Sequence, residues 1–280
     1  AVTLELPAAL TREWAREAAW LADLPPLAAE CAERWGLRLE EPFETPHSLV
    51  VPAGELVLKL NAPTHFEADH EADALALWGG VGAVELVARD DERRALLVER
   101  CRPGTHLDDS DGAGAEVVAG LLLRLARTPP SHRFRLLAHE AEGWLVEVPV
   151  RYDRAGAPFE RSLLDAACAT FANVDRGAGA LVNQDLHPGN VLAATREPWL
   201  VIDPKPLVGE RELDAVGLLR NAARDGAVEV RRWLDALAEL GLDRGRMREW
   251  GLAHALAWGT DSEGRWSDWS IEIARTISRA

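Results

Sequence analysis

The hydrophobic pattern of the sequence changes along the chain, and these changes limit the folds open to it. Short alternating or apolar runs, typical of β-strands, are concentrated in residues 37–100, where LRLEE, SLVVPA and ELVLKL predict three antiparallel strands. Two further runs, AVELVAR and RALLVER, flank the polar turn DDER. Elsewhere apolar residues recur mainly at helical spacing, with an interruption predicted at Pro25-Pro26. We therefore predict an α+β protein with a small antiparallel-sheet lobe containing one helix, and a larger, mostly helical lobe.

A polar segment rich in Gly, Pro and Asp, CRPGTHLDDSDG at residues 101–112, connects the two regions. We place the N-terminal lobe at residues 1–100, a hinge at 101–104 and the C-terminal lobe at 105–280. A chain of 280 residues is long enough to give each lobe a core. Within the second lobe, NVLAA and WLVID predict a short strand pair.

Charge and composition exclude several classes of partner. The formal net charge of −15 disfavours nucleic-acid binding and would attract a cationic small molecule, although plain solubility explains the same charge. No apolar run approaches the roughly 18 residues of a membrane-spanning helix, so no membrane partner is expected. Cys31, Cys101 and Cys168 match neither a zinc spacing nor a disulfide framework. With no signal-peptide pattern at the N-terminus, a cytoplasmic protein is expected, and its oligomeric state is left open.

Lysine is nearly absent from the chain. Of its 31 basic residues only Lys59 and Lys205 are lysines, and the others are arginines. Lysine offers a compact ammonium group on a flexible stem, whereas arginine offers a broad planar fork. These two positions are therefore candidates for sites that arginine cannot serve.

The segment NQDLHPGNVL, residues 183–192, combines an acid, an amide and a Pro-Gly turn. Asp185 and Asn190 are five positions apart, and Asp203 follows thirteen residues after Asn190. The intervening residues have the pattern of a hairpin, which would return Asp203 to the neighbourhood of Asn190. Such a set suits Mg²⁺ bound to phosphates, because this ion prefers hard oxygen ligands and takes few of them from the protein.

These motifs resemble those of known kinases. D-L-H-P-G-N followed by V-I-D resembles the catalytic loop and metal-binding acid of protein kinases, H-R-D-x-x-x-x-N and D-F-G. The aminoglycoside phosphotransferases are closer, and VNQDLHPGNVL, VIDPK, GLLRN and LPPLAAECAERWGLRL are most similar to their streptomycin 6-kinase and hydroxyurea kinase branch. The resemblance covers most of the chain from about Leu21. It implies a bilobal protein-kinase-like fold and transfer of phosphate from ATP or GTP to a hydroxyl group.

The resemblance also implies a role for each matching residue. Asp185 would orient the acceptor hydroxyl and take its proton, while Asn190 and Asp203 would hold Mg²⁺ against the nucleotide phosphates. Lys59 would contact the α- and β-phosphates, with Glu71 as its ion-pair partner. The transition state of phosphoryl transfer is loose, so positioning and cation placement provide most of the catalysis.

Further nucleotide contacts are expected in the first lobe and at the hinge. EPFETPHSL has no glycine, so Ser48 or backbone amides would reach phosphate there. Glu99 and Cys101 lie where a hinge offers main-chain groups to the purine, and such recognition does not separate ATP from GTP. Glu67 is the fallback partner of Lys59.

Four positions near the motif carry further expectations. Lys205 is either a contact for the γ-phosphate or a salt-bridge partner of a nearby acid. Asp214 resembles a buried acid that braces the catalytic loop in related kinases, so its role is structural. Asn183-Gln184 replaces the usual His-Gly pair of the family. The Asn183 amide would imitate the hydrogen bonds of the histidine, and Gln184 would alter the acceptor pocket.

The acceptor is the least constrained part of the prediction. In WGTDSEGRWSDW, residues 258–269, Asp261, Glu263 and Asp268 are candidates for binding ammonium or guanidinium groups, with a solvated loop as the alternative. The resemblance favours an antibiotic-inactivating kinase acting on a streptomycin-type aminoglycoside. A basic cyclic peptide antibiotic of the capreomycin or viomycin type comes second, and an amino sugar such as glucosamine, or hydroxyurea, third. A pseudokinase that binds nucleotide without transfer is the nonenzymatic alternative.

Overall fold

The computed structural model describes residues 4–109, 114–261 and 263–280, so residues 110–112 of the predicted connector lie outside it. Contacts divide the chain into two compact units: Ala1–His106 with Leu192–Asp203, and Leu107–Val191 with Pro204–Ala280. The strands are β1 (Ser48–Ala53), β2 (Leu56–Asn61), β3 (Leu86–Asp90), β4 (Ala95–Glu99), β5 (Ala180–Asn183), β6 (Val191–Ala193), β7 (Trp199–Val201) and β8 (Pro206–Gly209). The helices are α1 (Ala8–Glu13), α2 (Ala18–Trp35), α3 (Glu71–Trp78), α4 (Gly114–Leu125), α5 (Leu137–Arg154), α6 (Arg161–Ala172), α7 (Val216–Ala222), α8 (Ala227–Glu239), α9 (Arg244–Ala257) and α10 (Asp268–Ser278).

The first unit is built on a four-stranded antiparallel sheet with strand order β1-β2-β4-β3. Lys59 lies in the middle of β2, opposite Val50 of β1 and Leu96 of β4. Because side chains alternate along a strand, Leu58 and Leu60 point to the other face, where they share an apolar cluster with buried residues of α2. The sheet is thus apolar beneath α2 and presents Lys59 on its opposite face.

Two local predictions in the first unit are wrong. LRLEE is not a strand of the sheet, although Glu40 N–H donates to Pro52 O and Phe43 N–H to Val50 O. Pro42, which lacks an N–H, separates these two bonds and prevents a regular ladder. The helix α2 also continues through Pro25-Pro26. Burial of its apolar face compensates for the lost backbone hydrogen bonds.

The hairpin of β6 and β7 packs with the first unit, whereas the sequence-based boundaries assigned it to the second lobe. Val84 N–H donates to Val201 O at 3.0 Å. Arg196, at the turn of the hairpin, donates to Gly80 O at 2.6 Å and Ala83 O at 3.0 Å. These bonds to main-chain carbonyls fix the hairpin, and Asp203 two residues after it, to the sheet unit.

The second unit is mostly helical, and α9 lies at its centre. Nine of the fourteen residues of α9 are buried, and it packs against α6, α7, α8 and α10. β5 and β8 form an antiparallel pair that the sequence did not predict, because a four-residue apolar run does not distinguish a strand from a helix. In the part of the chain that the structure describes, no helix has the length and hydropathy needed to cross a bilayer.

A buried acid ties three segments of the second unit together. Glu210, which follows β8, accepts hydrogen bonds from Arg246 Nε at 2.5 Å and Nη2 at 2.8 Å. It also accepts from Trp250 Nε1 at 3.0 Å and from Asp175 N–H at 2.7 Å. The side chains of Glu210 and Arg246 are only 7% and 17% exposed. Removing one partner would therefore leave a charge in a desolvated site.

We expect Glu210→Ala to lower the free energy of unfolding by about 3–5 kcal/mol, the usual cost of stranding a buried charge. Asp165→Ala is the control, since the Arg161–Asp165 pair is 72% and 60% exposed. An exposed pair of this kind contributes about 0.5 kcal/mol or less. Chemical denaturation of both variants measures the difference, and equal losses would contradict the role assigned to burial.

Candidate active site

Lys59 is buried and carries the main ion-pair cluster of the first unit. Its Nζ donates to Glu71 Oε1 at 2.7 Å and Oε2 at 2.8 Å, and to Asp203 Oδ1 at 2.5 Å. Burial alone would lower the pKa of Lys59, but the charges of Asp203 and Glu71 outweigh burial and raise this pKa above its usual value. The ammonium group therefore stays charged, with two carboxylates around it.

Backbone conformation presents both carboxylates to Lys59. Glu71 is the first residue of α3 and follows His70, whose φ of +65° lies in the left-handed region. Asp203 also has a left-handed φ, +51°, which Asp tolerates better than most residues. Glu67, the fallback partner, lies in a separate 3₁₀ turn with a 49% exposed side chain, 3.8 Å from His65. Glu71 is thus the residue paired with Lys59.

A hydrogen-bond chain stands behind Glu71. Asn61 Nδ2 donates to Glu71 Oε2 at 3.0 Å, and Ser48 Oγ donates to Asn61 Oδ1 at 2.6 Å. Ser48 is buried, so its hydroxyl is committed inside the unit, which differs from the predicted phosphate contact. Asn61 was missed by the sequence reading. Its position two residues after Lys59 places it on the same face of β2, which could have indicated it.

The two predicted hinge residues are held within the first unit. The Glu99 carboxylate accepts from Arg196 Nε at 2.9 Å and Nη2 at 2.8 Å, and from Glu85 N–H at 3.0 Å. Cys101 is buried, and this burial raises the pKa of its thiol to about 12. The Glu99 carboxylate is thus already hydrogen-bonded within the unit, and the Cys101 thiol stays protonated. The expected purine contact would therefore use the main-chain groups of these residues.

In the second unit, Asp185 has partners on both carboxylate oxygens. Oδ2 accepts from Asn190 Nδ2 at 3.0 Å, and Oδ1 accepts from the guanidinium of Arg220. His187 Nε2 lies 3.6 Å from Oδ1, a long contact. Burial alone would raise the pKa of Asp185, but His187 and Arg220 outweigh burial and lower it to about 2. The charge of Lys205 acts in the same direction.

Asn183 and Gln184 both point into the interior at the start of the catalytic loop. Asn183 Oδ1 accepts from Asp185 N–H at 3.1 Å and Lys205 N–H at 2.9 Å, which joins two segments of the site. Gln184 is 1% exposed, with Nε2 3.4 Å from Lys205 O and Oε1 3.4 Å from His254 Nε2. The interpretation of Gln184 as an acceptor contact is therefore corrected, because its amide faces the core.

Two buried titratable groups lie beneath this loop. Asp214 accepts a hydrogen bond from Asn183 N–H at 2.6 Å, and burial raises the pKa of Asp214 to about 7. His254 lies 4.4 Å from the ring of Trp258 and 5.9 Å from that of Trp144, measured between ring centroids. Burial lowers the pKa of His254 to about 3, with the charge of Arg220 adding to the effect. The imidazole is therefore neutral over the physiological range.

Lys205 is buried in the second unit. Its carbonyl accepts from Gln184 N–H at 3.1 Å, while its ammonium charge acts on Asp185 as described above. Its contact with the γ-phosphate or with a nearby acid stays a prediction.

The residues expected to hold Mg²⁺ have suitable donor atoms. Both hydrogen bonds of the Asn190 side chain to Asp185 use its amide nitrogen, so the hard oxygen Oδ1 is the atom left for a cation. Asp203 supplies a carboxylate with 26% side-chain exposure. No group of three or more His, Cys, Asp and Glu side chains suited to a metal occurs among the described residues. Asn190 and Asp203 both provide hard oxygen atoms, the kind of donor that the expected Mg²⁺ prefers.

The acidic residues proposed for the acceptor form a turn. Asp261 accepts from the backbone N–H groups of Glu263 at 2.9 Å and Arg265 at 3.0 Å. The carboxylates of Asp261 and Glu263 both lie 3.0 Å from the guanidinium of Arg265. This agrees with the alternative interpretation of a solvated loop for these two residues. Asp268, exposed in the first turn of α10, stays a predicted acceptor contact.

Comparison with known proteins gives a consistent result. The family model described as aminoglycoside/hydroxyurea antibiotic resistance kinase matches residues 34–269. Streptomycin 6-kinase of Streptomyces griseus is 38% identical over 256 residues, covering 85% of this chain and 82% of the relative. Hydroxyurea phosphotransferase of Kitasatospora aureofaciens is 40% identical over 245 residues, covering 83% and 71%. Choline kinase LicA from Streptococcus pneumoniae has a TM-score of 0.60 at 13% identity, covering 90% of this chain and 98% of that chain.

The structural likeness confirms the predicted α+β, protein-kinase-like fold. This fold and the sequence relatives together define the class of a small-molecule O-phosphotransferase that uses a nucleotide as phosphate donor. Within that class, the chain belongs to the aminoglycoside/hydroxyurea antibiotic resistance kinase family. The predicted family and enzyme class are confirmed.

We expect Lys59→Arg to weaken nucleotide binding although it keeps the positive charge. The ammonium contacts three carboxylate oxygens in a site where Lys59 is 8% exposed, and a planar guanidinium is too broad to reproduce that geometry. Calorimetric titration with nucleotide would show at least about tenfold weaker binding, equal to 1.4 kcal/mol. Wild-type affinity would show that arginine serves equally well there. Arg161→Lys, at an exposed site, is the matched control.

We expect His254 to make stability depend on pH. In the unfolded chain it protonates near pH 6.5, whereas the folded protein resists protonation until about pH 3, so stability falls as the pH drops below 6.5. The contribution approaches about 1.4 kcal/mol per pH unit, the value for one proton. Denaturation at several pH values should show a smaller slope for His254→Gln. The exposed His132→Gln is the control, and an equal change there would contradict the explanation.

Proposed function

We propose that this kinase transfers the γ-phosphate of ATP or GTP to a hydroxyl group of a streptomycin-type aminoglycoside. The observation that carries the proposal is the Asp185 carboxylate, which is ionised and held by Asn190 and Arg220 within the D-L-H-P-G-N loop. The 38% identity to a streptomycin 6-kinase over 82% of its length supports the choice of acceptor. A net charge of −15 favours the approach of a cationic antibiotic.

In the proposed reaction, Asp185 accepts a hydrogen bond from the acceptor hydroxyl. A bond forms between the hydroxyl oxygen and the γ-phosphorus, while the bond from that phosphorus to the bridging oxygen of the nucleoside diphosphate breaks. The hydroxyl proton passes to the carboxylate of Asp185. Because the transition state is loose, the main contribution of Asp185 is to orient the attacking oxygen.

Lys59 is proposed to contact the α- and β-phosphates of the nucleotide. Its ammonium is kept charged and fixed by Glu71, which Asn61 and Ser48 hold in turn. A buried, preorganised cation of this kind does not have to lose water when the phosphates arrive. The nearby main chain of residues 99–101 is proposed to contact the purine.

We propose Asn190 and Asp203 as the ligands of Mg²⁺, through the amide Oδ1 of one and the carboxylate of the other. When bound, the ion would neutralise part of the negative charge of the phosphates. Both residues provide the hard oxygen atoms that Mg²⁺ selects.

Hydroxyurea is the second candidate acceptor. The relative named hydroxyurea phosphotransferase is 40% identical, slightly more than the streptomycin 6-kinase, although the alignment covers 71% of its length. The two acceptors differ in size and charge, because hydroxyurea is small and neutral. A direct comparison of both substrates therefore separates the candidates.

We expect the purified protein with Mg²⁺ and ATP or GTP to add one phosphate to streptomycin, detected by mass spectrometry. The panel includes hydroxyurea, capreomycin, viomycin and glucosamine. Modification of hydroxyurea alone would favour the second candidate, and modification of a cyclic peptide or sugar alone would refute both.

We expect Asp185→Asn to reduce turnover of the modified acceptor by about 10²–10⁴-fold while nucleotide affinity is retained. The amide keeps the shape of the side chain but loses the charge that attracts the hydroxyl proton. Asp165→Asn, at an exposed position on α6, is the matched control. Unchanged turnover in Asp185→Asn would remove Asp185 from the proposed role.

A further inference from the structure

Helix α7 touches the main chain of the catalytic loop at a single small residue. An ideal Cβ added at Gly217 would lie 2.5 Å from Leu186 O, 2.9 Å from Leu186 C and 3.0 Å from Leu186 N. Contacts this short are with backbone atoms, which cannot swing away as a flexible side chain does. Only glycine therefore lets α7 approach the residue that follows Asp185.

This close approach determines where Arg220 lies. Arg220 follows Gly217 by three residues, so both lie on the same face of α7. Its guanidinium donates to Asp185 Oδ1, and its side chain is 20% exposed. The other face of α7 packs against α9, where a Cβ at Gly251 would lie 3.2 Å from Leu219 Cδ1. Arg220 is thus positioned beside Asp185 by a helix that packs against the loop on one face and against α9 on the other.

Arg220 and Asn190 hold opposite ends of one carboxylate. Asn190 Nδ2 donates a hydrogen bond to Oδ2 at 3.0 Å, and the Arg220 guanidinium donates one to Oδ1. A carboxylate has about four lone-pair sites, so sites remain on its oxygens for an incoming hydroxyl. The terminal torsion of Asp is soft, and a single hydrogen bond would leave the carboxylate plane free to rotate. Two bonds on different oxygens define that plane.

An ordinary structural ion pair does not account for this arrangement as well. α7 is already anchored by four buried apolar side chains, and Asp214, just before it, bonds the loop at Asn183 N–H. The Arg220 and Asp185 side chains are 20% and 19% exposed, so water still screens the pair. The apolar contacts of α7 thus hold the helix in place, and the pair constrains the direction of the Asp185 oxygens.

We propose that Arg220 is a positioning residue for phosphoryl transfer, which fixes the plane of the Asp185 carboxylate together with Asn190, and that Gly217 is the residue that permits it. This inference rests on the proposed role of Asp185 as the group that receives the acceptor proton.

The first test compares Arg220→Gln and Arg220→Lys with the wild-type protein, using the acceptor identified by the mass-spectrometric panel. We expect Arg220→Gln to lower kcat by about 10²-fold, because a misplacement of about 1 Å costs this much, with little change in KM for either substrate. Arg220→Lys should have a higher kcat than Arg220→Gln, since lysine restores a charged donor although it lacks the planar guanidinium group. The melting temperature should change no more than in the exposed control Arg161→Gln.

The second test repeats Arg220→Gln in the Asp185→Asn background. If Arg220 acts through Asp185, the second substitution should reduce the residual rate by less than about threefold. A further loss of about 10²-fold would show that Arg220 acts independently, which overturns the proposal.

The third test uses Gly217→Ala, with Gly143→Ala in α5 as the matched control, because no atom lies within 4 Å of a Cβ at Gly143. We expect a loss of kcat at 217 and none at 143. Full kcat in Gly217→Ala would refute the role of Gly217, and full kcat in Arg220→Gln would refute that of Arg220. If Asp185→Asn itself keeps full activity, the proposed function fails. If Asp185→Asn is inactive and Arg220→Gln is normal, only this inference fails.

Discussion

The first unit depends on the burial of one ammonium group. A buried lysine stays charged when carboxylates compensate for its lost hydration, and Lys59 has Glu71 from the start of α3 and Asp203 from the end of the β6–β7 hairpin. Three separate segments must therefore meet at the middle of β2. The left-handed backbone at His70 and Asp203 is a local strain that brings these segments together. Charge pairing thus specifies the arrangement of these segments, while the apolar cluster under α2 supplies the stability.

In the second unit, the charged group that has to be held in place is a carboxylate instead of an ammonium group. The anion of Asp185 is matched by Arg220 and the charge of Lys205, while the neutral amides of Asn190 and Asn183 fix the loop around it. These groups come from three segments of the chain, namely residues 183–192, Lys205 and α7, and α7 packs against α9 of the helical core. The electrostatic site therefore relies on a mainly apolar helical core, which also contains the buried Glu210–Arg246 pair and the neutral imidazole of His254.

The features predicted from sequence were those that depend on spacing. The kinase-like fold and the ion pair of Lys59 with Glu71 were implied by the resemblance of short motifs to those of a known family, and the rarity of lysine also singled out Lys59. Gln184 could not be placed this way, since it is buried against groups that are distant in sequence, such as His254, seventy residues away. Arg220 stood in the quoted GLLRN motif, but its contact with Asp185 depends on how closely α7 approaches the loop. Short strands such as β5 and β8 were not predicted, because four apolar residues are too few to show a periodicity.

The near absence of lysine also has a practical consequence for handling the protein. Both lysine residues are buried, at 8% and 5% exposure, so the folded surface offers no lysine to acylating dyes or amine-directed cross-linkers. Such reagents will react with Lys59 only as fast as the fold opens around it. Acylation followed by peptide mapping would then report local opening of the sheet unit around Lys59 directly, without an engineered label.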